Sequence, residues 1–145
     1  MFLFVILSSC QNNNLEIKKT KSLNNQTQLI CKNAERFQGQ VIGDGHCVTL
    51  IKLCSNSPNT KQWRAGKKVF GADLASGTVI ATFKNDRYPS KTGYHAAIYI
   101  DQDKDGIWVW DQWVGKPVHK RLIRWRQYGP ASNNGNEYKV VKLTN

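Results

Sequence analysis

The spacings that would hold a metal ion are missing from this sequence. Four cysteines and three histidines fall in no CxxC or HxxxH pattern, so nothing resembles a zinc site, which draws its ligands in such pairs. Acid is scarce as well. Ten Asp and Glu stand against 21 Lys and Arg, a formal net charge of +11. That excess fits an anionic partner, whether a membrane surface, an acidic wall polymer or nucleic acid, and it fits plain solubility equally. No apolar run is long enough to span a bilayer, and no internal repeat occurs. The 145 residues do suit one domain with a hydrophobic core. Apolar content is 40 %, with five each of Trp, Tyr and Phe.

The opening "MFLFVILSSC" sets a short apolar run before two serines and Cys10. LSSC resembles a bacterial lipobox, in which the cysteine is lipidated. The basic start of a secretory signal is absent, so either translation starts upstream or the match is chance. The expectation is a lipoprotein-type signal over residues 1–10 and lipidation at Cys10. A polar, flexible tether over 11–28 would follow, then one domain over 29–145. Gln11 after the lipid cysteine resembles signals sent to the outer membrane, if the source is Gram-negative. The protein would then sit in the cell envelope, anchored or secreted. Cys31 and Cys54 pair as a disulfide in such an oxidising compartment, or remain two buried thiols.

Residues 29–38 suit a short helix, and three glycines in "GQVIGDG" end it. From Cys47 to Cys54 the apolar positions favour a buried helix, because a loop-to-helix entry precedes them. "KQWRAGKKVFG" is ambiguous and admits a second helix around Trp63. "GTVIATF" is a strand, and "KNDRYPSKTG" a long polar loop. "YHAAIYI" and "GIWVWDQWV" pair as a hairpin through "DQDKDG"; "KRLIRWRQY" is a further strand, and "EYKVVKLT" closes the sheet. Helices first and antiparallel strands after make an α+β pattern.

Cys47 stands where a helix begins, and there unpaired backbone N–H groups stabilise a thiolate. It needs a base. His46 is adjacent, and adjacent side chains at a helix start diverge. His119 lies in a basic run and reads as a surface residue. His95 opens a strand and is followed by Ala96 and Ala97, small enough for another element to pack closely. Its imidazole needs an acceptor. Asp111, between Trp110 and Trp113, is costly to bury unpaired. Opposed residues in a hairpin have a constant index sum. An even sum puts His95 and Asp111 on one face, whereas 207 sets His95 against Gln112, which is then the substitute third residue.

"GDGHCVTLIK", "ASGTVIATF", "GYHAAIYI" and "GIWVWDQW" in this order resemble the NlpC-type papain-like cysteine amidases, which include CHAP domains. The likeness is nearest to a small secreted subgroup related to type VI secretion amidase effectors. It implies a papain-like fold and a triad at Cys47, His95 and Asp111. It further implies peptidoglycan or a muropeptide as substrate and no cofactor. "ASGT" departs from the usual turn, and the hairpin loop reads as longer than typical. Acyl transfer would follow, with the Cys47 backbone N–H assisting the oxyanion. Tyr94, Trp63 and the "RYPSKTG" loop either border the cleft or simply pack.

"DQDKDG" matches half a calcium loop, but its twelfth position is Gln112 and strands flank it, so no metal is expected. The basic run over 116–126, with Trp125 interleaved, lacks a nucleic-acid motif; anionic lipid, wall polymer or a solvated strand face suits it better. Two rival readings remain open. One is a catalytically silent, basic, wall-binding lipoprotein module. The other is an acyltransferase or thioesterase on the same scaffold.

Overall fold

The computed structural model describes residues 27–144. The signal, Cys10 and the tether up to residue 26 lie outside the described residues. The first described residues join the sheet: the Thr27 carbonyl accepts from Leu143 N, and Gln28 bridges to Lys142.

The described residues build one α-helix and one six-stranded sheet. Helix α1 is Cys47–Ser55. The strands are β1 Trp63–Lys68, β2 Val79–Thr82, β3 Ala96–Gln102, β4 Gly106–Trp113, β5 Lys116–Arg124 and β6 Tyr138–Leu143, in the order β1-β6-β2-β3-β4-β5. Each neighbouring pair is antiparallel. The α+β expectation holds, with corrections. The helix expected over 29–38 shrinks to a 3-10 turn at Ala34–Phe37, and Ile30 instead bridges Thr78. The ambiguous stretch around Trp63 is β1. The last strand does not close an edge but lies between β1 and β2.

Positions 47, 50, 51 and 54 share one helical face. Leu50 and Ile51 are buried against Ala96 and Ile98 of β3 and Val79 and Ala81 of β2. Each such aliphatic side chain contributes roughly 1.5–3 kcal/mol. The opposite sheet face holds a second cluster: Ile80, Ala97, Tyr99, Ile107, Val109, Ile123 and Tyr138. Both faces of β2 are therefore covered, which is why "VIAT" reads as a continuous apolar run.

The helix is fixed at both ends. Asn56 in the left-handed region (φ 52°) stops it. Cys54, in the last turn, forms a disulfide with Cys31, Cα atoms 5.1 Å apart. At the other end Gly43 and Gly45 (φ 60° and 79°) turn the chain into the helix. A Cβ at Gly43 would collide with Thr49 Cγ2, so the close approach requires glycine. Asp44 Oδ1 accepts from Thr49 Oγ1 at 2.6 Å and from His46 N at 3.1 Å, holding the turn closed.

The β3–β4 hairpin carries a bulge. Near the turn Gln102 faces Ile107 and Asp101 faces Trp108, an index sum of 209; beyond the bulge Tyr99 faces Val109 and Ile98 faces Trp110, a sum of 208. The connection between the strands is only 103–105, shorter than the loop read from "DQDKDG". Asp103 spends its carboxylate there, accepting from Asp105 N, Gly106 N and Trp108 Nε1.

Candidate active site

The even sum beyond the bulge puts His95 and Asp111 on the same side of the sheet. His95 sits just before β3, and its position is set by the backbone. Its N–H donates to Thr82 Oγ1 at 3.0 Å, and its carbonyl accepts from Thr82 N at 3.0 Å. Its Nε2 meets Asp111 Oδ2 at 2.9 Å. That leaves Nδ1 as the nitrogen that can face Cys47, which α1 presents at its first residue.

The electrostatics follow from this placement. Burial pushes the Cys47 thiol up. The hydrogen bond and charge of His95, then the Ala96 N–H and the Tyr88 hydroxyl, outweigh it and hold the thiol below its ordinary value. Burial works against protonation of His95 too. Hydrogen bonds to Asp111 and Cys47, with the charge of each, overcome it and raise His95 from 6.5 to about 9. The two shifts favour the same state, thiolate beside imidazolium. Tyr88 Oη lies 3.7 Å from Cys47 Sγ, and burial followed by the charge of Cys47 pushes that phenol up, so it stays protonated.

Asp111 is fully buried. Besides His95 it receives Arg121 Nη1 at 3.2 Å on Oδ2, and His119 Nε2 stands 3.6 Å from Oδ1. Gln112 is buried on the other side of β4 and does not contact His95. It clamps the loop before the helix: Ile42 N donates to its Oε1 at 2.9 Å, and its Nε2 donates to the carbonyls of Ile42 at 2.9 Å and His46 at 3.0 Å.

The thiol and the imidazole open into a cleft of about 920 Å³ whose walls include Asp44, His46, Tyr88, Lys91, Tyr94 and Trp113. Tyr94 and the 88–92 loop thus border it, whereas Trp63 does not. Trp63 is fully buried behind Tyr88, with ring centroids 5.2 Å apart, and donates from Nε1 to Ser57 Oγ.

Four contributors were not read from the sequence: Tyr88, Gln112 in its clamping role, His119 and Arg121. His119 was expected at the surface. It is half-buried, directly across from Asp111 on β5. Arg121, expected within a solvated strand face, points inward. The signal was the alternation 119, 121 on one face of β5. A bulge between Asp111 and Trp113 hid it, because it shifts the pairing by one residue from the turn.

The chain is similar in sequence and structure to known proteins. The sequence model of the domesticated amidase effector 2 family matches residues 20–141.

The chain belongs to the domesticated amidase effector 2 family.

A type VI secretion amidase effector 2 protein from Salmonella typhi is 42 % identical over 127 residues, covering 76 % of this chain and 96 % of the relative. A domesticated amidase effector 2 from Ixodes scapularis is 37 % identical over 121 residues, covering 78 % of this chain and 84 % of its own length. Among solved structures, type 6 secretion amidase effector 2 superposes with a TM-score of 0.71 at 37 % identity, over 80 % of this chain and 95 % of that one. The resemblance to type VI secretion amidase effectors, drawn from four short motifs, is borne out by these members of the domesticated amidase effector 2 family and their relatives.

Proposed function

We propose that this chain is a cysteine amidase that hydrolyses amide bonds of peptidoglycan through a covalent acyl-enzyme, on a papain-like scaffold. The observation that carries the reading is the line of thiol, imidazole and buried carboxylate from Cys47 through His95 to Asp111, opening on a cleft. The relatives' names, amidase effectors, support the reaction class. The peptidoglycan substrate comes from the family resemblance, and the cationic rim of the cleft is compatible with it.

Cys47 is the nucleophile. Its thiolate attacks the amide carbonyl and forms a C–S bond. The oxyanion meets the Cys47 backbone N–H, free in the first helical turn. The Tyr88 hydroxyl, 3.7 Å from the sulfur, is the proposed second donor. His95 Nδ1 gives its proton to the departing amine as the C–N bond breaks. A water then attacks the thioester and passes a proton back to Nδ1. The acid leaves, and thiolate and imidazolium are restored. Asp111 keeps the imidazole oriented and charged throughout. The reaction consumes one water and no cofactor.

An exported protein working in the cell envelope fits this substrate. No helix among the described residues is long and apolar enough to cross a membrane. Attachment through a lipid on Cys10 belongs to the same proposal and rests on the LSSC motif alone.

The test is digestion of purified sacculi and of isolated muropeptides, followed by mass spectrometry, with Cys47→Ser as control. The expected result is a product gaining one water and a new amine, absent with the variant. Intact muropeptides, or equal turnover by both proteins, would refute the proposal. A product joined to an added amine instead of water would identify a transferase.

A further inference from the structure

We propose that Arg121 is a positioning residue: it locks the Asp111 carboxylate with Oδ2 on His95. The inference rests on the acyl-transfer reading above and deepens it.

A carboxylate removed from water needs each of its oxygens accounted for. Oδ2 accepts from His95 Nε2 at 2.9 Å and from Arg121 Nη1 at 3.2 Å. Oδ1 has no hydrogen-bond partner among the described residues. His119 Nε2 faces it at 3.6 Å, while His119 Nδ1 lies 3.0 Å from the Pro117 carbonyl. A carbonyl only accepts, so Nδ1 carries a proton there.

Arg121 cannot simply follow Asp111 if the carboxylate rotates. Its second arm, Nη2, donates to the Ser132 carbonyl at 2.8 Å and to Asn133 Oδ1 at 3.3 Å, in the 3-10 turn Ala131–Asn133. Its guanidinium lies 5.3 Å from the Trp113 ring centroid. Ser132 N in turn donates to the carbonyl of Gly93, two residues before His95. One rigid fork thus ties the acceptor of the imidazole to the segment that delivers the imidazole. Rotation of Asp111 away from His95 would break a bond to a group already fixed elsewhere.

Positioning and bare charge predict opposite results. A cation behind Asp111 competes with protonation of His95, so its removal as a mere charge would raise the His95 midpoint. A lost positioning residue lets Oδ2 leave, and the midpoint falls. The groups around His95 are Cys47 and Tyr88 on the thiol side and Asp111, His119 and Arg121 behind. Tyr138 stands beyond them, its hydroxyl donating to the Ser132 carbonyl.

The measurement is an NMR titration of the His95 ring in wild type, Arg121→Met and Arg121→Lys, with kcat/KM and thermal melting alongside. We expect the His95 midpoint to fall from about 9 towards 6.5 in Arg121→Met, and kcat/KM to drop about tenfold or more. Arg121→Lys keeps the charge but not the fork; it should shift the midpoint the same way by less, and it decides the matter if Arg121→Met does not fold. A midpoint that rises or stays in the folded variants overturns the inference. If the wild-type ring titrates normally and Cys47 is alkylated no faster than a free thiol, the acyl-transfer reading itself fails.

Discussion

At the residue scale the site depends on two opposed shifts that meet. Cys47 is held below the ordinary thiol value and His95 above the ordinary imidazole value, so the reactive ion pair exists over the window between them. The rate should rise with pH on an acidic limb set by the thiol. It should fall on an alkaline limb near 9, where His95 loses the proton that the leaving amine needs. Asp111→Asn keeps a polar partner for His95 but removes the charge that helps hold the ring protonated. The alkaline limb of kcat/KM should move down towards 6.5, and kcat should fall by about 10²–10⁴-fold. A pH–rate profile on a soluble muropeptide measures both effects; an unchanged alkaline limb in Asp111→Asn would show that the carboxylate does not act through His95.

At the element scale a short helix must hold its first residue against a strand end, and Gln112 and the Cys31–Cys54 disulfide are what hold it. Gln112→Leu fills similar space but leaves the Ile42 N–H and the Ile42 and His46 carbonyls, in part-buried hydrogen bonds, without their partner. Each lost bond of this kind costs about 0.5–1.5 kcal/mol. Urea unfolding should shift by that order, and kcat/KM should fall because the turn before Cys47 loosens. Retained stability with retained activity would count against the clamp. This clamp was not legible in the sequence, though the helix itself was. Periodicity places Leu50 and Ile51 inward, and the observed start at Cys47 is the expected one. A continuous apolar run revealed β2, and the stretches holding β3 to β6 were likewise read as strands. What periodicity cannot carry is register, and each hairpin beside the site holds a bulge that moves the pairing by one residue. Hence Gln112 stayed open as a substitute for Asp111 as third residue, and His119 and Arg121 looked superficial. Trp63 misled for a different reason. It follows a 3-10 turn at Thr60–Gln62, and that turn gives the polar stretch a helical look before β1 begins.

At the scale of the whole molecule the charge of +11 needs a destination, and the structure distributes it unevenly. Arg121 is taken up by Asp111 and the nearby turn. Lys116, Lys120 and Arg124 are exposed on β5, an outer strand of the sheet. Lys52, Lys61 and Lys91 stand around the cleft, where the acid is Asp44, itself engaged by Thr49 and His46. A basic exterior around a basic cleft attracts an anionic polymer before any bond is cut, and that attraction is screened by salt, over about 8 Å at physiological ionic strength. Inactive Cys47→Ser protein should therefore pellet with purified anionic sacculi at low salt and be released as salt is raised. Turnover of a small uncharged peptide amide by the wild-type enzyme should change far less over the same range, because the steps at Cys47 and His95 occur in a partly buried site. Replacing Lys116, Lys120 and Arg124 together with Gln should weaken pelleting without altering turnover of the small substrate. Pelleting that ignores salt, or a triple variant that pellets like the parent, would mean that this charge serves solubility and that the cleft alone recognises the wall.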